Sequence, residues 1–271
     1  MPKHTVFSGK TVLITGASKG VGEQFAHNLA AQGANLVLVA RSARALEDLA
    51  ARLGAPGRGQ FHVVPADLAD PQAPQAIASE LLQRGVEIDL LINNAGMGAV
   101  GPFLTRPLKP TLQSVDLNVT ALLGMIHEFG PRMLERGQGG IINVGSMAGF
   151  QPLPYQASYS GTKAFVLTFT EALAEELRGS GIRVMAAHPG PVQTGFFDST
   201  DAAINSKAVS PEDIAARILR DYARGRQASY PGRPSDRLNP FLTRIFPRTV
   251  IARLAGDFNR QAGYEHVTDV A

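Results

Sequence analysis

The sequence contains no cysteine, and its charged residues are few and nearly balanced. Without cysteine the chain forms neither disulfide bonds nor a thiolate nucleophile, although this leaves its redox compartment undetermined. The formal net charge is only +3 over 271 residues, so no surface for nucleic acid is expected. No apolar run approaches the length of a membrane span. The stretch MPKHTVFSGK lacks the long apolar segment of a secretory signal, and we expect a soluble cytoplasmic protein.

A metal site is also not expected. The six histidines occur singly, with no His-x-x-x-His pair.

Short apolar runs rich in Val, Ile and Leu recur along the chain. They are TVLIT (11–15), NLVLVA (35–40), FHVVPA (61–66), IDLLIN (88–93), GGIINVGS (139–146) and IRVMAAHPG (182–190). Runs that are apolar on both faces are typical of buried parallel strands, and stretches with helical spacing separate them. This alternation predicts one α/β domain over residues 1–271, a doubly wound parallel sheet with helices on both faces. Its ligand should lie beyond the carboxyl ends of the strands.

The composition becomes more polar after about residue 195. A helix is predicted from SPEDIAARILRDYA, with Ser210 as N-cap, Pro211 as first helical residue and Asp213 as capping partner. We interpret 195–271 as a substrate lid and C-terminal elaboration of the same domain. Its segment 233–260 has six Arg and two Asp, and we expect it to shield the pocket or form an oligomer contact.

A glycine-rich turn, TGASKGVG, follows the first predicted strand and opens a helix. Glycine permits positive φ and close backbone approach, and a helix N-terminus offers N–H groups to phosphate. The spacing of Gly16, Gly20 and Gly22 is G-x-x-x-G-x-G rather than the general dinucleotide fingerprint G-x-G-x-x-G. A simple turn is the alternative to nucleotide binding.

Tyr159 and Lys163 are four residues apart in SYSGTKAF, in a chain with only five tyrosines. From the numbers of tyrosines and lysines alone, about 0.1 such Tyr-x-x-x-Lys pairs are expected by chance in a chain of this length. On a helix the phenol and the ammonium would share one face. An exposed helical pair is the ordinary alternative.

Together these motifs resemble those of the short-chain dehydrogenase/reductase family. TGASKGVG is similar to its cofactor motif, NNAG (93–96) to its second signature, SYSGTK to its active-site motif and HPGPVQT (188–194) to its Pro-Gly motif. Ser146 also lies 13 residues before Tyr159, as in that family. The resemblance implies a single-domain Rossmann fold and an NAD(P)-dependent oxidoreductase acting on CH–OH groups.

The resemblance also implies catalytic roles. Tyr159 would be the acid in ketone reduction and the base in alcohol oxidation, and Lys163 would lower its pKa and bind ribose. Ser146 would hold the substrate carbonyl oxygen, although a serine at a strand end often serves only a turn. Asn118, in SVDLNVTA, would orient a proton-relay water.

A further set of residues is implied at the cofactor. It comprises Gly16, Ser18, Lys19, Gly20, Val21, Gly22, Arg41, Asp67, Leu68, Asn94, Ala95, Gly96, Tyr159, Lys163, Pro189, Gly190, Val192 and Thr194. Asp67 resembles an adenine contact but could equally cap a helix. Asn94 resembles a residue that ties the central strands together, and Thr194 one that contacts the nicotinamide carboxamide.

The end of the second predicted strand bears on which dinucleotide binds. An NAD-selective site places an acidic residue there to hold the ribose 2′-hydroxyl. Here the strand runs into Arg41 and Ser42, with no acid before Glu47. Arg41 and Lys19 would suit a 2′-phosphate, so NADP(H) is the expected cofactor. Both could instead be ordinary solvated charges.

The expected reaction is NADPH-dependent reduction of a ketone or aldehyde. The resemblance implies that apolar residues following the motifs rim the substrate pocket, so an apolar substrate is expected. These residues are Met97, Met147, Phe150, Phe196 and Phe197, with Tyr155 as a pocket wall. One alternative is reduction of 3-oxoacyl chains on a carrier protein or coenzyme A. Another is a dinucleotide sensor or scaffold without turnover. The resemblance further implies a homodimer or homotetramer.

Overall fold

The computed structural model describes residues 6–54, 59–193, 208–238, 241, 243 and 245–267. Its described strands are β1 Thr11–Thr15, β2 Asn35–Ala40, β3 Phe61–Pro65, β4 Leu90–Asn93, β5 Gly139–Val144, β6 Ile182–Ala187 and β7 Ala228–Ser229. The described α-helices are α1 Gly20–Ala30, α2 Ala43–Leu53, α3 Ala73–Gln83, α4 Leu108–Val115, α5 Ala121–Arg136, α6 Ala157–Glu176, α7 Pro211–Ala223 and α8 Arg248–Gln261. One π-helical turn, Asp116–Thr120, joins α4 to α5, and a 3₁₀ turn, Met147–Phe150, follows β5.

The described strands form one parallel sheet in the order β3-β2-β1-β4-β5-β6-β7. The predicted α/β doubly wound sheet is confirmed, and all six predicted strands are present. Sequence patterns missed β7, because two residues are too few to show a period. This strand extends the sheet beyond β6, so the chain after residue 208 continues the same sheet.

Side chains along each strand alternate between two apolar layers. Val12 and Ile14 face a core that includes residues of α1, α2 and α7. Leu13 faces the opposite core, which includes residues of α3, α5 and α6. Because both faces are covered, the strands are apolar throughout, and this explains the continuous runs in the sequence.

The strand order reverses between β1 and β4, which are adjacent although β2 and β3 lie between them in the chain. In such sheets a crevice opens beyond the carboxyl ends of the strands at this point. Buried polar groups join the elements beside it. Asn93 of β4 donates to Asn143 of β5 at 2.9 Å, and Asn143 donates to Thr170 of α6 at 3.0 Å.

The predicted start of α7 is confirmed. Ser210 Oγ accepts a hydrogen bond from the backbone N–H of Asp213 at 3.1 Å, and Pro211 is the first helical residue. The Asp213 carboxylate accepts a hydrogen bond from the Ser210 hydroxyl at 2.8 Å. In a capping box it would accept from the backbone N–H of Ser210 instead. Among the described helices, none has the length and apolar character needed to cross a membrane.

Candidate active site

A cavity of about 1030 Å³ lies at the switch between β1 and β4. It is lined by seventeen of the catalytic and cofactor residues named from the sequence: Gly16, Ser18, Lys19, Gly20, Val21, Arg41, Asp67, Leu68, Asn94, Ala95, Gly96, Ser146, Tyr159, Lys163, Pro189, Gly190 and Val192. Gly22 and Asn118 lie behind the lining. Thr194, Phe196 and Phe197 lie outside the described residues.

The glycine-rich turn brings the start of α1 to the cavity. Gly16 and Gly20 have φ values of +67° and +61°, which side chains rarely adopt. A Cβ atom on Gly22 would lie 2.1 Å from the Gly16 carbonyl oxygen, so only glycine allows this close packing. The chain therefore leaves an open, backbone-lined cradle in front of a helix N-terminus, as a pyrophosphate group requires.

Thr15, at the end of β1, organises the neighbouring loop and was not identified from the sequence. Its hydroxyl accepts hydrogen bonds from the backbone N–H groups of Asn94 and Ala95, at 2.9 and 3.0 Å. Asn94 in turn donates from Nδ2 to the Thr15 carbonyl at 2.9 Å. These bonds tie the loop after β4 to β1, as expected for Asn94. A buried threonine at a strand end carries no motif that would single it out.

Ser146 and Tyr159 meet inside the cavity, where their side chains form a hydrogen bond. The N–H of Ala148 donates to Ser146 Oγ at 3.1 Å and fixes the serine at the start of the 3₁₀ turn. Burial raises the pKa of Tyr159 to about 12, and the hydrogen bond from Ser146 opposes this rise. The phenol therefore holds its proton at neutral pH, and donating it requires that neighbouring groups stabilise the phenolate.

Lys163 lies one turn further along α6 and is also buried. Its Nζ donates to the Val144 carbonyl at 3.0 Å and lies 5.9 Å from the centre of the Tyr159 ring. Burial lowers the pKa of Lys163 to about 8. The pKa of Tyr159 is raised overall because desolvation by burial outweighs the hydrogen bond from Ser146. The lowering of this pKa by Lys163 stays a prediction.

Asn118 is held behind Lys163 by the π-helical turn. Its Oδ1 accepts from the N–H of Met97 at 3.0 Å, and its Nδ2 lies within donating distance of the Met97 carbonyl, Ser114 and Thr162. A Cβ atom on Gly96 would lie 2.8 Å from Asn118 Oδ1 and 3.6 Å from Lys163 Nζ. The sequence singled out Asn118 but not the two hydroxyl groups that orient it.

Charged side chains stand at one end of the cavity. Arg41 follows β2 and is exposed, and it forms no ion pair within the described part of the chain. Lys19 immediately precedes α1 and is also exposed. The Asp67 carboxylate accepts from the N–H of Ala69 at 3.1 Å, within the turn after β3. It does not cap the next helix, the alternative role considered above, because α3 begins at Ala73 with Gln72 as its N-cap. The exposed cations fit a phosphate at this end.

The other end of the cavity is apolar. Met97, Leu117, Met147 and Leu153 line it, together with one face of α8. Of the residues expected there, Phe150 is instead buried against His188, with ring centres 4.9 Å apart. The sequence motif gives no information on the direction in which the Phe150 side chain points. Tyr155 lines a separate cavity of about 220 Å³ beside Arg106.

We expect the binding of NADPH to report the ionisation of Lys163. Because its pKa is lowered to about 8, the ammonium form predominates below pH 8 and is lost as the pH rises through that value. The affinity of the wild type for NADPH should therefore fall above pH 8, by up to about tenfold per pH unit, whereas Lys163→Met should show no such fall. NADPH fluorescence measures this against a chain without tryptophan. Parallel pH profiles for the two proteins would contradict the assignment.

The family model described as short chain dehydrogenase matches residues 10–205. Serine 3-dehydrogenase of Rhizobium radiobacter is 37% identical over 187 residues, which are 69% of this chain and 73% of the relative. Ketoacyl reductase HetN of Nostoc is 33% identical over 219 residues, which are 80% of this chain and 76% of the relative.

Solved structures agree with these matches. A short-chain dehydrogenase from Sphingobium yanoikuyae in complex with NADPH has a TM-score of 0.78 at 31% identity, covering 97% of both chains. A bulky-bulky ketone specific alcohol dehydrogenase from Comamonas testosteroni has a TM-score of 0.75 at 29% identity, covering 97% of this chain and 96% of that one. A short-chain dehydrogenase/reductase from Burkholderia phymatum in complex with NAD has a TM-score of 0.80 at 27% identity, covering 87% and 93%.

The fold and the cavity therefore define a nicotinamide-dinucleotide-dependent oxidoreductase with a Rossmann-type sheet. The chain belongs to the short-chain dehydrogenase family.

Proposed function

We propose that the protein catalyses the reversible, NADPH-dependent reduction of an apolar ketone or aldehyde. The observation that carries this proposal is the buried Ser146–Tyr159 hydrogen bond, which lies in the same cavity as the phosphate cradle and the apolar wall. When bound, NADPH supplies the hydride for the carbonyl carbon. Every other step falls to side chains of this chain.

Ser146 and Tyr159 would hold the carbonyl oxygen of the substrate. As the carbonyl carbon becomes tetrahedral, negative charge develops on that oxygen, and both hydroxyl groups can donate to it. Tyr159 then transfers its proton to the oxygen and completes the alcohol. The raised pKa of Tyr159 keeps the proton in place until this charge develops. In the oxidation direction the same proton returns from the alcohol to the phenolate.

Lys163 and Asn118 would support this proton transfer. The Lys163 ammonium is close enough to the Tyr159 ring to stabilise the phenolate left by the transfer. Asn118 and Thr162 hold the helix turn that carries Lys163. The complete set of four groups favours an enzyme over a dinucleotide sensor or scaffold, since a sensor has no need of a buried acid.

The preference for NADPH over NADH rests on Arg41 and Lys19. Both line the end of the cavity beyond β1 and β2, and no carboxylate stands at the end of β2 to hold a free ribose hydroxyl. A similar structure that was determined with NADPH and covers 97% of this chain supports the choice. The similar structure that was determined with NAD is 27% identical to this chain, compared with 31% for the one with NADPH.

A turnover screen tests the proposed function. Apolar ketones, aldehydes, sugars, serine and 3-oxoacyl thioesters are each offered with NADPH and with NADH, and oxidation of the cofactor is followed. We expect alkyl or aryl ketones to give the highest kcat/KM. Faster turnover of sugars or charged keto acids would contradict the apolar assignment.

Reduction of 3-oxoacyl chains is the second candidate, favoured by the ketoacyl reductase relative and by the arginines of segment 233–260. An acidic carrier protein could dock on such a positive surface. This candidate would replace the first if a carrier-bound 3-oxoacyl chain were reduced more efficiently than the same chain as a simple thioester and than any free ketone.

A further inference from the structure

Helix α8 is attached to the loop that separates Ser146 from Tyr159. This active-site loop comprises residues 151–156. Asn259 of α8, which is only 5% exposed, donates from Nδ2 to the Pro154 carbonyl at 2.8 Å. Gly256 lets the helix approach closely, since a Cβ atom there would lie 3.2 Å from Pro154 Cγ. Arg260 adds a side-chain hydrogen bond to Tyr155. Three contacts from adjacent turns of α8 therefore join the C-terminal helix to this loop.

The active-site loop has an unusual backbone at the same place. Tyr155 has a φ of +64°, and among the described residues it is the one non-glycine residue with positive φ. Its carbonyl accepts from the N–H of Gly101 at 2.7 Å, so a second segment holds the loop from the other side. Sparsely populated backbone conformations persist only where the surrounding structure enforces them, and they cluster at ligand clamps. The α8 contact is part of what enforces this one.

One face of α8 lines the same cavity as Ser146 and Tyr159. Its residues recur at helical spacing: Ile251, Leu254, Ala255, Phe258 and Asn259. Leu254 and Phe258 are 64% and 63% exposed, although both line the cavity. Large apolar side chains in such positions are covered when an apolar ligand fills the cavity. Val250, on the same helix and 44% exposed, does not belong to the lining.

We propose that the α8 face formed by Leu254 and Phe258 binds an extended apolar chain on the carbonyl carbon of the substrate, and that Asn259 is the positioning residue that holds this face in place through Pro154. The proposal rests on the proposed function for the identity of the reacting group. It goes further by predicting a substrate with an extended alkyl or aryl substituent, and by assigning a specificity role to a hydrogen bond outside the reacting centre.

The contacts of Gly256 and Asn259 with Pro154 explain how α8 can form one wall of the cavity. A helix bearing exposed apolar residues on its inner face gains no packing energy from them in the absence of ligand. Its position must then come from contacts elsewhere along it, and Gly256 and Asn259 supply these contacts. Because its partner is Pro154, α8 is fixed to the loop that lies between Ser146 and Tyr159 in the chain. The apolar substituent and the carbonyl group of the substrate are thereby held in a fixed position relative to each other.

A pair of ketones tests the proposal. Acetophenone and 1-phenyl-1-hexanone share the phenyl group and the carbonyl and differ by four methylene groups. Each methylene group that becomes buried strengthens binding about fourfold. We expect the wild type to favour 1-phenyl-1-hexanone by at least about tenfold in kcat/KM. Phe258→Ser and Asn259→Asp should each lower this ratio at least about fivefold, through KM rather than kcat.

Val250→Ser is the matched control, because it removes an exposed apolar side chain from α8 outside the cavity lining. It should leave the ratio and both kcat/KM values unchanged. An unchanged ratio in Phe258→Ser or in Asn259→Asp would overturn the proposal, and so would an equal loss in Val250→Ser. If Asn259→Asp fails to fold, Gly256→Ala disturbs the same contact more mildly and must lower the ratio in the same direction.

Equilibrium dialysis of both ketones against the same proteins separates this inference from the proposed function. If the wild type reduces acetophenone but neither its ratio nor its ketone binding responds to Phe258→Ser, the α8 subsite is wrong and the reductase stands. If no carbonyl is reduced, the proposed function fails. Tighter binding of 1-phenyl-1-hexanone that is lost in Phe258→Ser then still supports the subsite, and equal binding of the two ketones overturns it.

Discussion

Replacing Tyr159 with phenylalanine is expected to lower kcat for carbonyl reduction by about 10²–10⁴-fold, the usual contribution of a general acid. The substitution removes the hydroxyl group that would protonate the carbonyl oxygen and leaves a ring of the same shape in a buried site. NADPH affinity should change little, because Lys163 and the glycine-rich turn remain. Steady-state rates and NADPH fluorescence titrations measure the two effects separately.

Tyr222→Phe is the control for this prediction. Tyr222 is also buried, its pKa is also raised to about 12 by burial, and it lies on α7 outside the cavity lining. Loss of this hydroxyl should leave kcat within about twofold if only the position of Tyr159 matters. A Tyr159→Phe protein that kept more than half of the wild-type kcat would remove Tyr159 from the proton-donor role.

The wild type is expected to favour NADPH over NADH by at least tenfold in kcat/KM, and Arg41→Asp to abolish or reverse this preference. A charge-assisted hydrogen bond to phosphate is worth about 1.5–3 kcal/mol, which is about one to two decades. The new carboxylate would also repel the 2′-phosphate and could accept from the ribose hydroxyl of NADH. Lys19→Ala should weaken the preference less, because it removes one cation without adding an anion.

Arg44→Asp controls for the change in net charge. Arg44 is an exposed arginine on α2, close to Arg41 in the chain, and it does not line the cavity. Its substitution should leave the ratio of the two kcat/KM values within about threefold, since Arg44 is outside the cavity lining and its exposed charge acts on the cofactor only through solvent. Equal use of NADPH and NADH by the wild type, or the same ratio in Arg41→Asp, would rule out Arg41 as the selectivity residue.

The sequence predicted the sheet well because a sheet covered on both faces has strands that are apolar throughout. Six strands could be located in this way, whereas β7 could not, because its two residues show no period. The spacing of Tyr159 and Lys163 predicted their common helix face, and both line the cavity. Secondary structure and the residues that share a helix face can be predicted in this way because they depend largely on residues that are near in sequence.

The electrostatics of the site were less predictable. A lysine four residues from a tyrosine indicates that the phenolate will be stabilised, yet burial raises the pKa of Tyr159 and lowers that of Lys163. The extent of burial depends on how distant segments pack, and no local pattern records it. The partners of Asn118 and the direction of Phe150 were missed for the same reason.

The role of segment 233–260 could be predicted from the sequence only in part. Its composition predicted that it would shield the pocket or form an oligomer contact, and α8 does line the cavity. The contact that holds α8 joins residues 105 positions apart, Pro154 and Asn259. An asparagine in a helix and a proline in a loop give no signal of such a pairing.

Transfer of deuterium from NADPH to an apolar ketone tests the central claim most directly. The protein is incubated with NADPH deuterated at C4 of the nicotinamide on the transferable face and with 1-phenyl-1-hexanone, and the product is analysed by mass spectrometry. The account predicts 1-phenyl-1-hexanol with one deuterium on its carbinol carbon, and almost none from Tyr159→Phe under the same conditions. An alcohol without deuterium, or equal deuterated product from Tyr159→Phe, would contradict it.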